Sequence, residues 1–293
     1  MSSAEFVHLR VHTEYSIVDG LVRVKPLMDS VGRMGMPAVA VTDRNNLFAM
    51  IKFYTAAINS GIKPVCGCDV LVENPERPDR PFPLVLLVQH LAGYRNLTRL
   101  ISLSYTQKVG HGEPQVRKQW LETYAAGLIA LSGGPDGEVG RCLTDQDQDA
   151  AEKSLAYWMD LFPGRFYLEL HRCGRPGDEP YVQAAVQLAA ANNCPVVATN
   201  DVRFIAAEDF EAHEVRVCIH ERRTLDDPRR PKHYSEQQYL RSPAEMSALF
   251  ADLPEALLNS VRIAQRCNLD IELGKPFLPN YPVPAGLTMD EFF

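Results

Sequence analysis

No run in the sequence approaches the roughly 18 apolar residues that a membrane-spanning helix needs, and the opening MSSAEFVHLR lacks the apolar stretch of a secretory signal. No CxxC pair occurs. The seven cysteines, Cys66, Cys68, Cys142, Cys173, Cys194, Cys218 and Cys267, are odd in number and scattered. That pattern excludes a disulfide framework and predicts a reduced, cytoplasmic protein. Cys66-Gly67-Cys68 is a weak zinc signal, and two thiols on alternate strand faces read as core filler. Positive charge is short as well: 30 Lys and Arg stand against 37 Asp and Glu, a net charge of −7. A free-standing, non-specific nucleic-acid binder needs the opposite balance, which leaves only a local basic patch open. LSGGPDGEVG at 131–140 is glycine-rich but has no lysine where a GxxxxGK[ST] phosphate loop needs one, so it reads as a turn into a helix. Ser132 lacks the GxSxG spacing of a nucleophile elbow.

What is present is a globular composition, 46% apolar and 23% charged over 293 residues, enough for one large domain or two modest ones. Short apolar runs alternate with longer amphipathic stretches. VHLRV (7–11), AVAVT (38–42), KPVCGCDVLV (63–72), LVLLVQ (84–89), LIALS (128–132), FYLELH (166–171) and PVVAT (195–199) read as strands covered on both faces. Helices are predicted over 24–35, 46–60, 91–105, 149–162 and 179–193, the last stopped by Asn192-Asn193 before Pro195. The rows of Leu97, Leu100, Ile101 and Leu103 belong to the core. The alternation predicts an α/β architecture with a parallel sheet, open or closed into a barrel.

In such folds functional groups sit just beyond the C-terminal strand ends. There the sequence places Arg10 and His12, then Asp19; Asp43, Arg44, Asn45 and Asn46; Asp69; His171, Arg172 and Cys173; and Asn200, Asp201 and Arg203. Asp43 and Asn200 read as turn and cap residues. His8, His90, His111, His213, His220 and His233 share no ligand spacing, and His213 and His220 read as structural. After 204 the character changes. FIAAEDFEAHEVRVCIH reads as a helix with Phe210, Val215, Val217 and Ile219 on its apolar face. A basic loop follows, with Arg222, Arg223, Arg229, Arg230, Lys232 and His233, suited to DNA phosphates or acidic partner residues, or else simply solvated. Helices are predicted near 243–250 and 254–267. The proline-rich end leads into an acidic helix-like stretch, so the chain reads as the N-terminal piece of something longer.

The motifs then match a family. HLRVHTEYSIVDG resembles the first motif of the PHP (polymerase and histidinol phosphatase) domain, and VTDRNNL, GIKPVCGCDVLV, NLTRLISLSY, YLELHRCGRP and VATNDVRFIAAED resemble its succeeding blocks in order. They are similar in particular to the PHP domain of bacterial replicative DNA polymerase III alpha subunits. The resemblance implies a distorted (β/α)7 TIM-like barrel over residues 1–285, with 286–293 starting a linker toward a polymerase core. It also implies a site for up to three metal ions at nine positions, here Arg10, His12, Asp19, Arg44, Asp69, Pro83, Cys173, Asp201 and Arg203. Metal-binding members resemble HLHVHTEYSLLDG, DHGN and DVH where this chain has Arg10, Arg44 and Arg203.

Guanidinium is always charged and offers no lone pair, so these arginines cannot ligate. Each would repel a cation beside it by about 4 kcal/mol at ~4 Å and an effective dielectric of 20. The expectation is that Arg10, Arg44 and Arg203 replace metals by pairing with Asp19, Asp69 and Asp201, and that loss of Arg44 destabilises the domain. The other reading of the arginines is as outward surface charges. The resemblance implies a catalytically degenerate domain that supports a DNA-directed DNA polymerase and docks a proofreading exonuclease subunit. It implies no cofactor in this part, Mg²⁺ in the polymerase core, DNA contact through the longer protein and no membrane. The alternative is a metal-dependent phosphoesterase, pyrophosphatase or 3′–5′ exonuclease using His12, Asp19, Asp201 and Cys173. A stand-alone histidinol-phosphatase-like enzyme is a third.

Overall fold

The computed structural model describes residues 5–107, 112–276, 278 and 281–293. His111, the first four residues and Phe277, Pro279 and Asn280 of the proline-rich end lie outside the described residues. Among the described residues six regular strands form one sheet in sequence order: β1 (Ala38–Val41), β2 (Lys63–Val72), β3 (Phe82–Val88), β4 (Leu128–Leu131), β5 (Phe166–His171) and β6 (Val196–Thr199). The helices Val24–Arg33, Met50–Asn59, Leu91–Thr106, Gln148–Leu161 and Asp178–Asn192 occupy the five predicted stretches. The second starts later than predicted because the Asn46 side chain holds a turn, its Oδ1 accepting from the Phe48 N–H at 3.0 Å. Asn193 stops the last in a left-handed conformation, φ 53°.

Two expectations need correcting. The sheet is mixed: β1 and β2 pair in parallel, as do β4, β5 and β6, but β3 runs antiparallel to both its neighbours. The connection from β2 to β3 spans only 73–81 and carries no helix, too short for the crossover that a parallel partner requires. The N-terminal end of β3, with Pro83, therefore joins the rim formed by the C-terminal ends of the others. The first run, 7–11, is extended but is not a regular strand. Its carbonyls accept from β1 on one side (Ala40 N–H to His8 O, 2.8 Å; Thr42 N–H to Val11 O, 2.9 Å) and from the chain after β6 on the other (Val202 N–H to Arg10 O, 3.1 Å). Left-handed backbone at Asp201, φ 46°, interrupts the ladder there. The segment nonetheless spans the gap between the two edges, so the sheet curls closed as a distorted barrel.

Strand alternation divides the side chains. On β2, Val65, Gly67 and Asp69 face the barrel interior, while Cys66, Cys68, Val70 and Val72 face the helices. The two thiols, two residues apart, thus share one face, both buried in the core. On β5, Tyr167, Glu169 and His171 point inward, and Phe166, Leu168 and Leu170 outward. Val7, Leu9, Val65, Val85, Leu87, Ile129 and Val197 fill the lower interior. The helix Pro254–Arg266 seals that end with Val261, Ile263 and Ala264, and Ser260 Oγ accepts the Val7 N–H at 3.0 Å. The interior is apolar at the sealed end and charged at the open one.

The turn between the first extended segment and the first helix delivers Asp19. Asp19 and Gly20 both donate backbone N–H groups to Ser16 O, at 3.0 and 2.9 Å. A Cβ at Gly20 would lie 2.0 Å from Thr13 O, a backbone atom that cannot step aside. Gly20→Ala should therefore lower stability by roughly 1–3 kcal/mol, the usual range for overpacking, read as a fall in thermal midpoint by circular dichroism.

Candidate functional site

The open end of the barrel holds a dense charge cluster. Arg10, only 4% exposed, spreads its guanidinium over three carboxylates: Nη2 lies 2.6 Å from Asp69 Oδ2, Nη1 3.2 Å from Glu169 Oε2 and Nε 3.1 Å from Asp201 Oδ1. Arg203 bridges the other pair, with Nη1 2.7 Å from Asp19 Oδ2 and Nη2 2.8 Å from Asp201 Oδ1. Asp19 and Asp201 also accept from Tyr234 (2.9 Å) and Gln238 (2.8 Å). His12 sits among them, its Nε2 3.5 Å from Asp69 and 3.4 Å from Asp201, its Nδ1 3.0 Å from Ser16 Oγ. Asp201 occupies left-handed backbone, which costs on the order of 1–3 kcal/mol; its pairs to two arginines hold it there.

Arg44 stands apart. It is 30% exposed at the mouth, 2.5 Å from Glu113 and 3.6 Å from Asp19. Since Asp19 keeps Arg203, the expected weight on Arg44 moves to Arg10 and Arg203. Asp43 accepts from Thr13 N–H and Oγ1–H at 2.6 and 2.7 Å, and Asn200 donates to the Gln237 and Tyr239 carbonyls, so both act as turn and cap groups. Pro83 lines the cleft without charge. Cys173 is buried with its thiol 3.4 Å from Asn200 O. It is thus spent on backbone and does not join His12, Asp19 and Asp201. His171 is pinned between Glu169 (3.1 Å) and Arg175 (3.3 Å), and Gly134 passes so close that a Cβ there would meet its ring at 2.5 Å. The glycine-rich segment is thus a turn before the helix Glu138–Thr144.

Sequence reasoning missed Glu169, Glu113, Tyr234 and Gln238. Glu169 had a signal, since a carboxylate alternating with His171 in an apolar strand points to a buried partner. The others arrive on loops that no periodicity registers. Of the basic loop, Arg230 pairs with Glu214 and both Arg223 and Arg229 share Asp227, each at 3.3 Å. Arg222 and Lys232 are exposed.

The electrostatics follow from burial. Burial alone would push the Asp201 carboxyl up; Arg10, Arg203 and His12 overcome it and hold it well below the carboxylate range. Asp19 is likewise held down against burial, by Arg203, His12 and Arg44. Glu169, also buried, is brought to about 2 by Arg10 and His171. Burial pushes Asp43 and the Cys173 thiol up. Among the described residues His12 Nε2, Asp19 Oδ1 and Asp69 Oδ1 find no hydrogen-bond partner although buried, the kind of atoms a metal would use. A cation on the same carboxylates would, however, share Asp69, Asp201 and Asp19 with the Arg10 and Arg203 guanidinium groups already bonded to them. Among the described residues no group of three or more His, Cys, Asp or Glu side chains is placed to hold an ion. The residues present do not fit a metal. Above them opens a cleft of about 530 Å³ lined by both signs of charge.

Arg10→Met should cost about 3–5 kcal/mol, because it strands buried carboxylates. Arg44→Met, at the exposed mouth, should cost under about 1 kcal/mol; urea unfolding at neutral pH measures both. The pH dependence has a definite sign. Carboxyls held below their ordinary values stabilise the fold above the unfolded range near pH 4, and that contribution fades as pH falls toward Glu169's value of about 2. In Arg10→Met, Glu169 and Asp201 lose a cation that holds them down and protonate more readily. Its deficit in thermal midpoint should therefore be largest near pH 7 and shrink toward about pH 4.

Residues 8–173 match the PHP domain family. The DNA polymerase III subunit alpha of Pseudomonas aeruginosa is 54% identical over 290 residues, which is 99% of this chain and 25% of that protein. Its counterpart in Escherichia coli K12 is 50% identical over 290 residues, again 99% and 25%. The chain thus spans about a quarter of the length of the curated relatives it matches. Among solved structures, an amidohydrolase from Chromobacterium violaceum is similar with a TM-score of 0.49 at 13% identity, over 72% of this chain and 96% of that one. No helix among the described residues is long and apolar enough to cross a membrane. The chain belongs to the PHP domain family, in the form that resembles one quarter of a DNA polymerase III alpha subunit.

Proposed function

We propose that this chain is a catalytically degenerate, metal-independent PHP domain that serves as a structural platform within a replicative DNA polymerase. The observation that carries the reading is Arg10, whose guanidinium lies between Asp69, Glu169 and Asp201 at the barrel mouth. A fixed, always-charged cation there supplies the neutralisation that a divalent ion would otherwise bring, and offers no open coordination position to activate water. The nine family positions Arg10, His12, Asp19, Arg44, Asp69, Pro83, Cys173, Asp201 and Arg203 are then vestiges of a metal site, with no catalytic residue among them. In the longer protein the activity is DNA-directed DNA synthesis in the cytoplasm, with Mg²⁺ in the polymerase core. This domain supports that core and docks the proofreading exonuclease subunit. The relatives' names and the shared quarter of their length support this placement.

Purified chain should carry far less than one equivalent of Zn, Mn or Mg by elemental analysis. Its thermal midpoint should not move on treatment with EDTA, and it should not hydrolyse p-nitrophenyl phosphate or single-stranded DNA with added Mn²⁺ or Zn²⁺. Stoichiometric metal together with hydrolysis that disappears in His12→Ala would establish the phosphoesterase reading instead.

A further inference from the structure

The helix Met50–Asn59 is apolar on both sides. Met50, Phe53, Tyr54 and Ala57 are buried, while Ile51 and Ile58 are 49% and 54% exposed, with exposed Thr55 between them. Those three positions, spaced four and three residues apart, fall on one stripe of the helix by its 3.6-residue period. Phe48, 63% exposed, stands in the turn just before the helix, three residues ahead of Ile51. Lys52 is the one charged residue of the helix, and it pairs with Glu14 at 3.5 Å. Other helices turn charge outward: Lys25, Asp29 and Arg33 on Val24–Arg33, and Glu152, Lys153 and Asp160 on Gln148–Leu161. A helix that is apolar all round belongs in an interior, so the outward stripe of Met50–Asn59 calls for a cover.

The chain leaves the core against this same helix. After the helix Pro254–Arg266, Leu269 is buried, and the next two residues are bonded to Tyr54. The Tyr54 hydroxyl donates to Asp270 Oδ1 at 3.4 Å and accepts the Ile271 N–H at 3.3 Å. Tyr54 lies between Ile51 and Ile58 in the helix, and Ile58 lines a groove of about 440 Å³ together with Ile62, Leu269 and Asp270. From Glu272 onward every described residue except Val283 is exposed. The polypeptide therefore departs from beside the stripe. The chain accounts for 25% of the Pseudomonas aeruginosa relative, so about three quarters of such a protein lie outside it.

We infer that the stripe of Phe48, Ile51 and Ile58 is the seat of the polypeptide that continues past Phe293 in the longer protein, which lays an apolar face on it. The inference rests on the platform reading and deepens it by naming the face on which this domain carries the rest of the chain. Two observations select this occupant. A segment tethered at Ile271, beside the stripe, meets it at an effective concentration of about millimolar order, which a free partner does not reach. The helix also offers one cation and no carboxylate, so it selects by apolar area, and a nucleic-acid backbone finds no array of positive charge there.

The test is the rate of maleimide labelling of Ile51→Cys and Ile58→Cys, read by mass spectrometry of the labelled peptides, in the 293-residue chain and in the full-length polypeptide. Both cysteines should label freely in the chain alone and at least about tenfold more slowly in the full-length protein, where labelling waits for the contact to open. The paired change Ile51→Glu/Ile58→Glu, at exposed positions, should leave the thermal midpoint of the 293-residue chain at the parent value and lower that of the full-length protein. Ile51→Ser/Ile58→Ser replaces it if the glutamate pair does not fold. Equal labelling rates in the two proteins at either position, or a full-length midpoint that does not move, would overturn the proposal. So would labelling of the 293-residue chain that slows as its concentration rises, since a second copy would then be the cover. None of these outcomes bears on the metal content or hydrolysis measured at the barrel mouth, so the platform reading stands or falls separately.

Discussion

Asp19, Asp69, Glu169 and Asp201 are buried within one barrel mouth, and four carboxylates cannot be ionised together in such a place without compensation. Desolvation and mutual repulsion would each neutralise them or drive the mouth apart. The arrangement of two guanidinium groups answers both. Arg10 touches three of the acids and Arg203 touches two, with Asp201 shared, so each of these four carboxylates has at least one cationic partner. Those acids come from the first turn, β2, β5 and the segment after β6. The cluster therefore ties together the ends of elements that the apolar lower core does not reach.

Several features that look separate follow from this constraint. The extended opening segment that closes the barrel carries Arg10 and His12, and its carbonyls pair with the chain on both sides. The left-handed Asp201 disrupts strand pairing but delivers its carboxylate between the two arginines. The strap after the helix Phe210–Glu221 is pulled over the mouth by Tyr234 and Gln238, which bond to Asp19 and Asp201. A metal could tie such strand ends too, but it would leave the site dependent on supply and open to hydrolysis. Arginine is covalently attached, always charged and chemically inert. Its planar fork can reach several carboxylates at once, whereas a lysine would offer a single point charge.

The strand and helix periodicities made the α/β alternation and the polar rim at the strand ends legible, while the barrel, and the arginines as replacements for histidines, came from the resemblance to PHP domains. Three things were hidden. The reversal of β3 depends on a nine-residue connection whose geometry no hydrophobic pattern reports. The first strand lost its regular ladder to a left-handed residue outside it, a tertiary effect. Arg44 looked equivalent to Arg10 in motif position, yet solvent at the mouth separates them, since one is 30% exposed and the other 4%. Glu169 was missed although it left a signal, a charge in an apolar strand, while Glu113, Tyr234 and Gln238 come from loops. The helix Phe210–Glu221 shows the opposite failure: its apolar residues are not all core, since Val215 and Ile219 face solvent.

Arg203, like Arg10, should stabilise the fold through the buried carboxylates it neutralises rather than through its own packing. A double-mutant cycle with Arg203→Met and Asp19→Asn measures this directly by urea unfolding at neutral pH. If the account holds, removing the Asp19 charge should relieve part of the damage done by removing Arg203. The double variant should then be less destabilised than the sum of the single variants, with an interaction energy of about 1–3 kcal/mol. Strict additivity, within about 0.3–0.5 kcal/mol, would contradict it.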